Sequence, residues 1–256
     1  MMSVVNECSE TRRREVLNNP DKDYLTAYGI AVDEVEDAIK EADILKPYRL
    51  YVLKQVADLL TKLGVSWFIT DGTLLGWYRN KSMISHDTDI DIIIMEKDML
   101  CIWKNRHLLP NDLEMKCNDP GSDDLSFQWC SDDRCIPFNP SKHTGAKQLL
   151  VKMKDLPLSM PEDRKVFWWV AHVDLYTCRL EDDGYHLNDQ RWHYPLGIKA
   201  FPESCFLPVQ KAKFEEIDVF VPRNPLQYLE LQYGYIGENA VFDEATKLYK
   251  PLTKKP

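Results

Sequence analysis

Long apolar runs are absent from this sequence. No stretch reaches the roughly 18 apolar residues that mark a transmembrane helix, so no membrane span is expected. The N-terminal MMSVVNECSETRRRE has no apolar core of signal-peptide type, and on sequence alone the chain reads as soluble and cytoplasmic. A basic excess is absent too: 32 Lys and Arg stand against 41 Asp and Glu, a formal charge of −9. General DNA or RNA binders carry a basic footprint, so nucleic acid is not the expected partner, whereas a few local cations suffice to hold a phosphate on a small substrate. Paired cysteines are also missing. Cys8, Cys101, Cys117, Cys130, Cys135, Cys178 and Cys205 are odd in number and contain no CxxC, which argues against a disulfide framework. Cys130 and Cys135 would chelate zinc only with partners from elsewhere, such as Cys117 or His143; free or partly buried thiols are the simpler reading. No internal repeat or linker stands out.

What is there is an ordinary globular balance, 44% hydrophobic and 29% charged over 256 residues, enough to bury a core. Residues 1–23 are polar and expected to be frayed. A helical spacing of apolar residues runs from Tyr24 to Ala42, and a stronger helix is expected from Tyr48 to Leu63, ended by Gly64. Val65–Thr70 reads as a buried strand, Asp71-Gly72-Thr73 as a turn, and Leu74–Tyr78 as a short helix. Ile90–Met95 reads as a central strand and Glu96–Leu109 as a helix stopped by Pro110. Residues 111–161 hold strand candidates at Leu125–Cys130 and Leu149–Met153 among polar turns, an irregular antiparallel extension of the sheet. Val166–Arg179 is a third strong strand region, Phe214–Val221 a further strand, and Pro225–Gln232 a helix stopped at Gly234. The expected fold class is mixed α/β, a twisted sheet flanked by helices. The expected partition is one domain over 24–250 with a loose tail at 251–256.

The informative acids lie in DGTLLGWYRNKSMISHDTDIDIII. On a strand, alternate residues share a face, so Asp89 and Asp91 project together while Ile90 and Ile92 face the core. Two carboxylates so close repel, and leaving them unpaired beside a core is costly. A divalent cation resolves that cost, and hard oxygen ligands suit Mg²⁺ or Mn²⁺. Gly72-Thr73 follows a strand end and opens a helix, an arrangement that cradles phosphate on backbone amides, with the Thr73 hydroxyl as an added donor. A third carboxylate is expected from Asp174, a single acid in the apolar run HVDLY. The bland alternatives are a solvated acidic strand start for the Asp89/Asp91 pair and an exposed strand end for Asp174.

These motifs resemble the LicD and fukutin family within the nucleotidyltransferase superfamily. The superfamily pattern is a glycine and small hydroxyl residue, a DxD on the next strand and a later third acid, matched by Gly72-Thr73, Asp89-Ile90-Asp91 and Asp174. The family adds Gly76, Arg79 and an acid two positions before the DxD, Asp87. FEEIDVFVPRNPLQYLELQYG is similar to the family's ending. The resemblance is tight over Trp67–Ile94, moderate at Ala171–Tyr176 and Phe214–Gly234, and absent over much of 111–161. His86 departs from it, standing where the family usually has tryptophan.

The resemblance implies a nucleotidyltransferase-like fold and transfer of a phosphorylated small group, such as phosphocholine or ribitol phosphate. The donor would be CDP-activated and the acceptor a glycan or glycoconjugate. Asp89 and Asp91 would hold the metal on the diphosphate, and Asp174 would complete the metal site or accept the proton of the attacking hydroxyl. Asp87 would orient a water or a second ion. Arg79 would grip phosphate and Lys81 act as a point charge, with a solvated lysine the plainer alternative; His86 would touch substrate or donate to Asp87. His172, two residues before Asp174, would be a partner of that acid. Trp67, Trp77, Trp168, Trp169 and Trp192 divide between core and a stacking platform, and Arg223 and Asn224 between substrate contact and turn chemistry. Alternatives are transfer of a nucleoside monophosphate from a triphosphate, or an inactive interaction module. By family resemblance the compartment would instead be the Golgi lumen or secretory pathway.

Overall fold

The apolar stripe expected over Tyr48–Leu63 is the second half of a longer helix. The computed structural model describes residues 35–85, 87–118, 148–159, 170–187, 200–237, 240–243, 245–246 and 248–251. In it α1 spans Val35–Lys62 and runs through Pro47. Proline inside a helix costs about 3 kcal/mol, but the stripe is buried on both sides of it, at Ala42 and Leu45 before and at Val52, Leu53, Val56 and Leu60 after. Packing keeps the helix whole where local propensity would divide it. Its end is a Schellman motif: Val65 N–H donates to Leu60 C=O at 3.3 Å, Gly64 N–H to Thr61 C=O at 3.1 Å, and Gly64 takes a φ of +67°.

The chain then enters β1 (Trp67–Ile69), α2 (Asp71–Asn80) and β2 (Asp91–Met95). The expected turn at Asp71–Thr73 is therefore the first turn of α2 itself, with Thr70 at the N-cap position and no side-chain capping bond. The region expected as one helix from Glu96 to Leu109 is two 3-10 turns around a short α3 (Met99–Lys104). β3 (Leu113–Asn118), β4 (Gln148–Met153), β5 (His172–Glu181) and β6 (Gly184–Leu187) follow. Next come α4 (Glu203–Phe206), β7 (Gln210–Phe214), β8 (Ile217–Val221) and α5 (Pro225–Tyr233), then β9 (Ala240–Asp243) and β10 (Leu248–Pro251).

The main sheet has the order β1-β2-β5-β4-β3. β2 and β5 are parallel; the other pairs are antiparallel, including β6, which continues the β4 edge of β5. In the antiparallel extension expected over 111–161, β4 coincides with the strand candidate at Leu149–Met153, while its partner β3 is a strand that was not expected. The strand expected over Phe214–Val221 is instead a hairpin, β7 and β8, turning at Glu215-Glu216. α5 starts and stops as expected: Asn224 Oδ1 accepts from Gln227 N–H at 3.2 Å and Gly234 ends it at a φ of +79°. The strand candidate at 125–130, the polar turns at 120–124 and 131–142, residues 1–23 and 252–256, and the helical run before Val35 lie outside the described residues.

Register sets which side chains share a face. Phe68 pairs with Ile93, and Ile93 with Tyr176. On that face Phe68 packs edge-on against Phe206 of α4 and Tyr228 of α5 at 5.0 and 6.0 Å between centroids. Asp91 and Asp174 project from this same face by strand alternation. The opposite face presents Trp67, Ile92 and Ile94, all fully buried, with Trp67 edge-on to Phe220 of β8; this tryptophan is core.

Candidate functional site

The parallel pairing of β2 and β5 decides the site. Asp91 and Asp174 are direct register partners, so two carboxylates far apart in sequence become neighbours on one face. Thr70 N–H donates to Asp91 C=O at 2.9 Å and Asp174 N–H to Ile90 C=O at 2.8 Å, tying both strands to the entry of β2.

The start of α2 abuts these acids. Thr73, 1% exposed, accepts a hydrogen bond from Asp91 N–H at 2.9 Å through Oγ1, so its hydroxyl locks helix to strand. Gly72 makes room not for solvent but for Asp87: a Cβ there would lie 2.8 Å from Asp87 Oδ2. Gly76 permits close packing, since a Cβ would meet Ser82 C=O at 2.4 Å. Asp71 opens the helix at a φ of +47°. That region costs a non-glycine residue of order 1–2 kcal/mol. Asp71 is held by Gln232 Nε2 at 2.8 Å, and Gln232 and Thr70 both bond the Tyr228 hydroxyl.

Among the described residues, Asp89, His172 and Asp174 form a set whose ligand atoms all lie within 4.8 Å of one another. His172 Nε2 faces Asp174 Oδ2 at 3.6 Å, with both side chains more than nine-tenths buried. Three buried atoms of the site residues lack hydrogen-bond partners: Asp174 Oδ1, His172 Nδ1 and Asp87 Oδ2. Charge crowding is severe. Burial, then the charge of Asp89, pushes the Asp87 carboxyl well above the ordinary carboxylate range against the pull of Arg49. Asp91 is pushed well up by burial, then by Asp89, Asp71, Asp174 and Asp87. Asp89 is raised by burial, with His172 lowering it and Asp174 raising it. Burial alone would lower His172, but the facing Asp174 and nearby Asp89 outweigh it and raise it. Tyr176, on the same face of β5, is held far above 10 by burial and by the same acids.

This donor set fits a divalent cation. Buried carboxylates that repel one another, with unmatched acceptor atoms and an imidazole, are costly alone and are satisfied by an ion. Asp89, Asp174 and His172 would hold it, and Asp91 lies beside them. A second, exposed group of potential ligands is Glu181, Asp183 and His186 at the β5–β6 turn; His186 already bonds Asp183 at 2.6 Å.

The structure brings Gly72, Thr73, Asp87, Asp89, Asp91 and Asp174 together. Arg79 and Lys81 stand at the other end of α2. Arg79 sits in the last turn of α2, about 10 Å along the helix axis from Gly72, with its guanidinium 5.7 Å from the centre of the Tyr249 ring. Lys81 caps α2 at a φ of +60° and lays its Nζ 3.6 Å over the Trp77 ring. His86, Trp168, Trp169 and Trp192 lie outside the described residues, as do Cys130, Cys135 and His143. Cys101, Cys178 and Cys205 are free thiols. Asn224 serves as a helix cap and Arg223 reaches Leu207 C=O at 3.5 Å, so turn chemistry accounts for both.

Two residues escaped the sequence reading. Arg49 is fully buried on α1 and donates to Asp87 C=O at 3.2 Å. Its signal was an arginine inside the apolar stripe, four after Leu45 and three before Val52. Asp71 was read only as turn chemistry, although it directly precedes the glycine of the motif.

The family model described as LicD/FKTN/FKRP, nucleotidyltransferase domain, matches residues 64–224. The chain belongs to that family. The match takes in every acid of the site, while Arg49, Tyr228 and Gln232 reach this LicD-family site from outside the matched range. An uncharacterized protein of Rickettsia typhi is 27% identical over 198 residues, covering 76% of this chain and 48% of the relative. One of Rickettsia prowazekii is 25% identical over 208 residues, covering 81% and 62%. Ribitol-5-phosphate transferase FKTN of Homo sapiens is 34% identical over 75 residues, 29% of this chain and 16% of the relative. The chain thus spans about half to three fifths of the length of the two rickettsial relatives. No helix among the described residues is long and apolar enough to cross a membrane.

Proposed function

We propose that this LicD-family chain is a metal-dependent transferase. It moves a phosphorylated small group, of phosphocholine or polyol-phosphate type, from a CDP-activated donor to a hydroxyl of a glycan or glycoconjugate. The observation that carries this reading is the Asp89–His172–Asp174 set, half-buried at Asp89 and buried at the other two, beside the start of α2. The relative named as a ribitol-5-phosphate transferase supports the class of transferred group.

A divalent ion, Mg²⁺ or Mn²⁺, would offset the charge of the diphosphate and of its leaving group. Asp89, Asp174 and His172 hold it. The first-turn amides of a helix have no acceptor within the helix, so the backbone at Gly72 and Thr73 presents donors to phosphate oxygens. Thr73 keeps those amides in register with the acids through Asp91 N–H. One carboxylate beside the metal set, Asp87 or Asp91, would receive the proton of the attacking hydroxyl. Arg49 fixes the Asp87 backbone. Arg79, Lys81 and His86 contribute to substrate binding.

Incubation with CDP-choline, CDP-ribitol or CTP and a glycan acceptor tests this, with CMP and pyrophosphate measured separately. CMP release that requires a divalent ion and is lost in Asp89→Ala is the expected result. Pyrophosphate release from CTP would replace the reading with nucleoside monophosphate transfer. Full activity of Asp89→Ala would sink the metal mechanism. No ion-dependent thermal shift with any of the three nucleotides would favour an inactive interaction module.

A further inference from the structure

The ligand set contains an imidazole, and this bears on which ion the site selects. His172 and Asp174 are two apart on β5 and so share one face, and Asp89 arrives from the segment before β2. The 3.6 Å between His172 Nε2 and Asp174 Oδ2 is too long for a good hydrogen bond. It is close to the edge between two ligands bound at about 2.1 Å, roughly 3.0–3.4 Å depending on geometry. The His172 side chain is more than nine-tenths buried, and among described residues it has no hydrogen-bonding carbonyl or hydroxyl that would explain a purely structural imidazole; its Nδ1 is unmatched.

We infer that His172 is a direct nitrogen ligand of the metal site, completing an Asp89–His172–Asp174 set that takes a first-row transition ion in preference to Mg²⁺. This rests on the metal-dependent reading above and deepens it. Magnesium demands hard oxygen ligands and dehydrates reluctantly, whereas imidazole raises affinity for ions along the first transition row. The Asp91 carboxylate, outside the three-residue set, does not offset that bias, because it adds one more oxygen to a site that already has a nitrogen.

Manganese is the probe, since it is paramagnetic and reports its own ligands. Mn²⁺ is titrated into the full chain, followed by electron paramagnetic resonance, with electron spin-echo modulation read for directly bound ¹⁴N. The expected result is a ¹⁴N coupling in the unmodified protein, lost in His172→Asn. That variant should bind Mn²⁺ about tenfold or more weaker and Mg²⁺ within about threefold of the unmodified chain. In competition, Mg²⁺ should displace Mn²⁺ from the unmodified protein only at about hundredfold excess or more. The spin-echo measurement needs no variant, so it stands even if His172→Asn folds poorly. Mn²⁺ bound without ¹⁴N coupling, yet lost in Asp89→Asn, would overturn the role of His172 and leave the metal site intact. Absence of Mn²⁺ binding to the unmodified chain would overturn both.

Discussion

At the scale of single residues the site depends on contacts made without spare room. Gly72 shows this best. Its φ is not in the left-handed region, so backbone freedom is not the reason for glycine; space is. A methyl group there would press on Asp87 Oδ2 at 2.8 Å. Alanine is favoured over glycine in helices by about 1 kcal/mol, which offsets much of the local crowding. Gly72→Ala is therefore expected to change thermal stability little while lowering transfer about 10- to 100-fold, the usual result of a misplaced catalytic group. Melting curves and initial rates on the same preparation check it; an unchanged rate would mean that the position of Asp87 does not matter. The glycine and the acids were legible because acids and glycines in apolar surroundings are unusual. What the glycine faces was not, because only the fold brings Asp87 over α2. The same limit hid the pairing of Asp91 with Asp174, which depends on β2 and β5 lying parallel and adjacent.

At the scale of elements, the hairpin of β7 and β8 was hidden for a physical reason. Its turn is Glu215-Glu216, with no glycine, proline or asparagine to mark it, and Glu215 sits at a φ of +50°. The cost of that backbone is offset by what Glu215 holds. Its carboxylate accepts from the Ser82 hydroxyl, from Met83 N–H at 3.1 Å and from Lys46 Nζ at 2.7 Å, and its N–H donates to Lys81 C=O at 2.8 Å. The turn thereby pins the chain leaving α2, the segment that leads to Asp87, against α1. Burial alone would raise the Glu215 carboxyl, but the bonds from Lys46, Ser82 and Met83 outweigh it and hold it below its ordinary 4.5. A depressed carboxyl stabilises the fold above its unfolded value and loses that contribution as pH falls through the folded one. Glu215→Gln is thus expected to lower stability by about 0.5–1 kcal/mol at pH 7, discounted for its partial exposure. The gap from the unmodified protein should close as pH drops below about 4.5. Denaturant titrations from pH 7 down through pH 4.5 to the lowest pH at which the chain stays folded check this; a gap that does not narrow below pH 4.5 would show that the effect is not the carboxylate's charge. The continuity of α1 through Pro47 was unreadable for a related reason: burial on both sides of the proline is a tertiary fact.

At the scale of the whole molecule, the site draws on parts of the chain that lie far apart. Arg49 comes from α1, Asp71 and Thr73 from α2, Asp91 from β2, His172 and Asp174 from β5, and Gln232 from α5. They are tied together through the β1-β2-β5 sheet, the Arg49 bond to Asp87, the Thr73 bond to Asp91 and the bonds of Tyr228 and Gln232. An ion bound at the acids therefore stabilises every one of these elements only if they fold together, as the proposed single domain over 24–250 requires. Mass action sets the size of the effect: at a hundredfold excess over its dissociation constant a ligand adds about 2.7 kcal/mol. For a chain of this length each kcal/mol moves the midpoint by about 2–4 °C, so Mn²⁺ is expected to raise it by about 5–10 °C. Scanning calorimetry with and without Mn²⁺, at matched ionic strength, should show one transition that moves as a unit, and no movement in Asp89→Ala. Two transitions, of which only one responds to the ion, would divide the chain and overturn the single-domain partition while leaving the metal site standing. A single transition indifferent to Mn²⁺ would do the reverse.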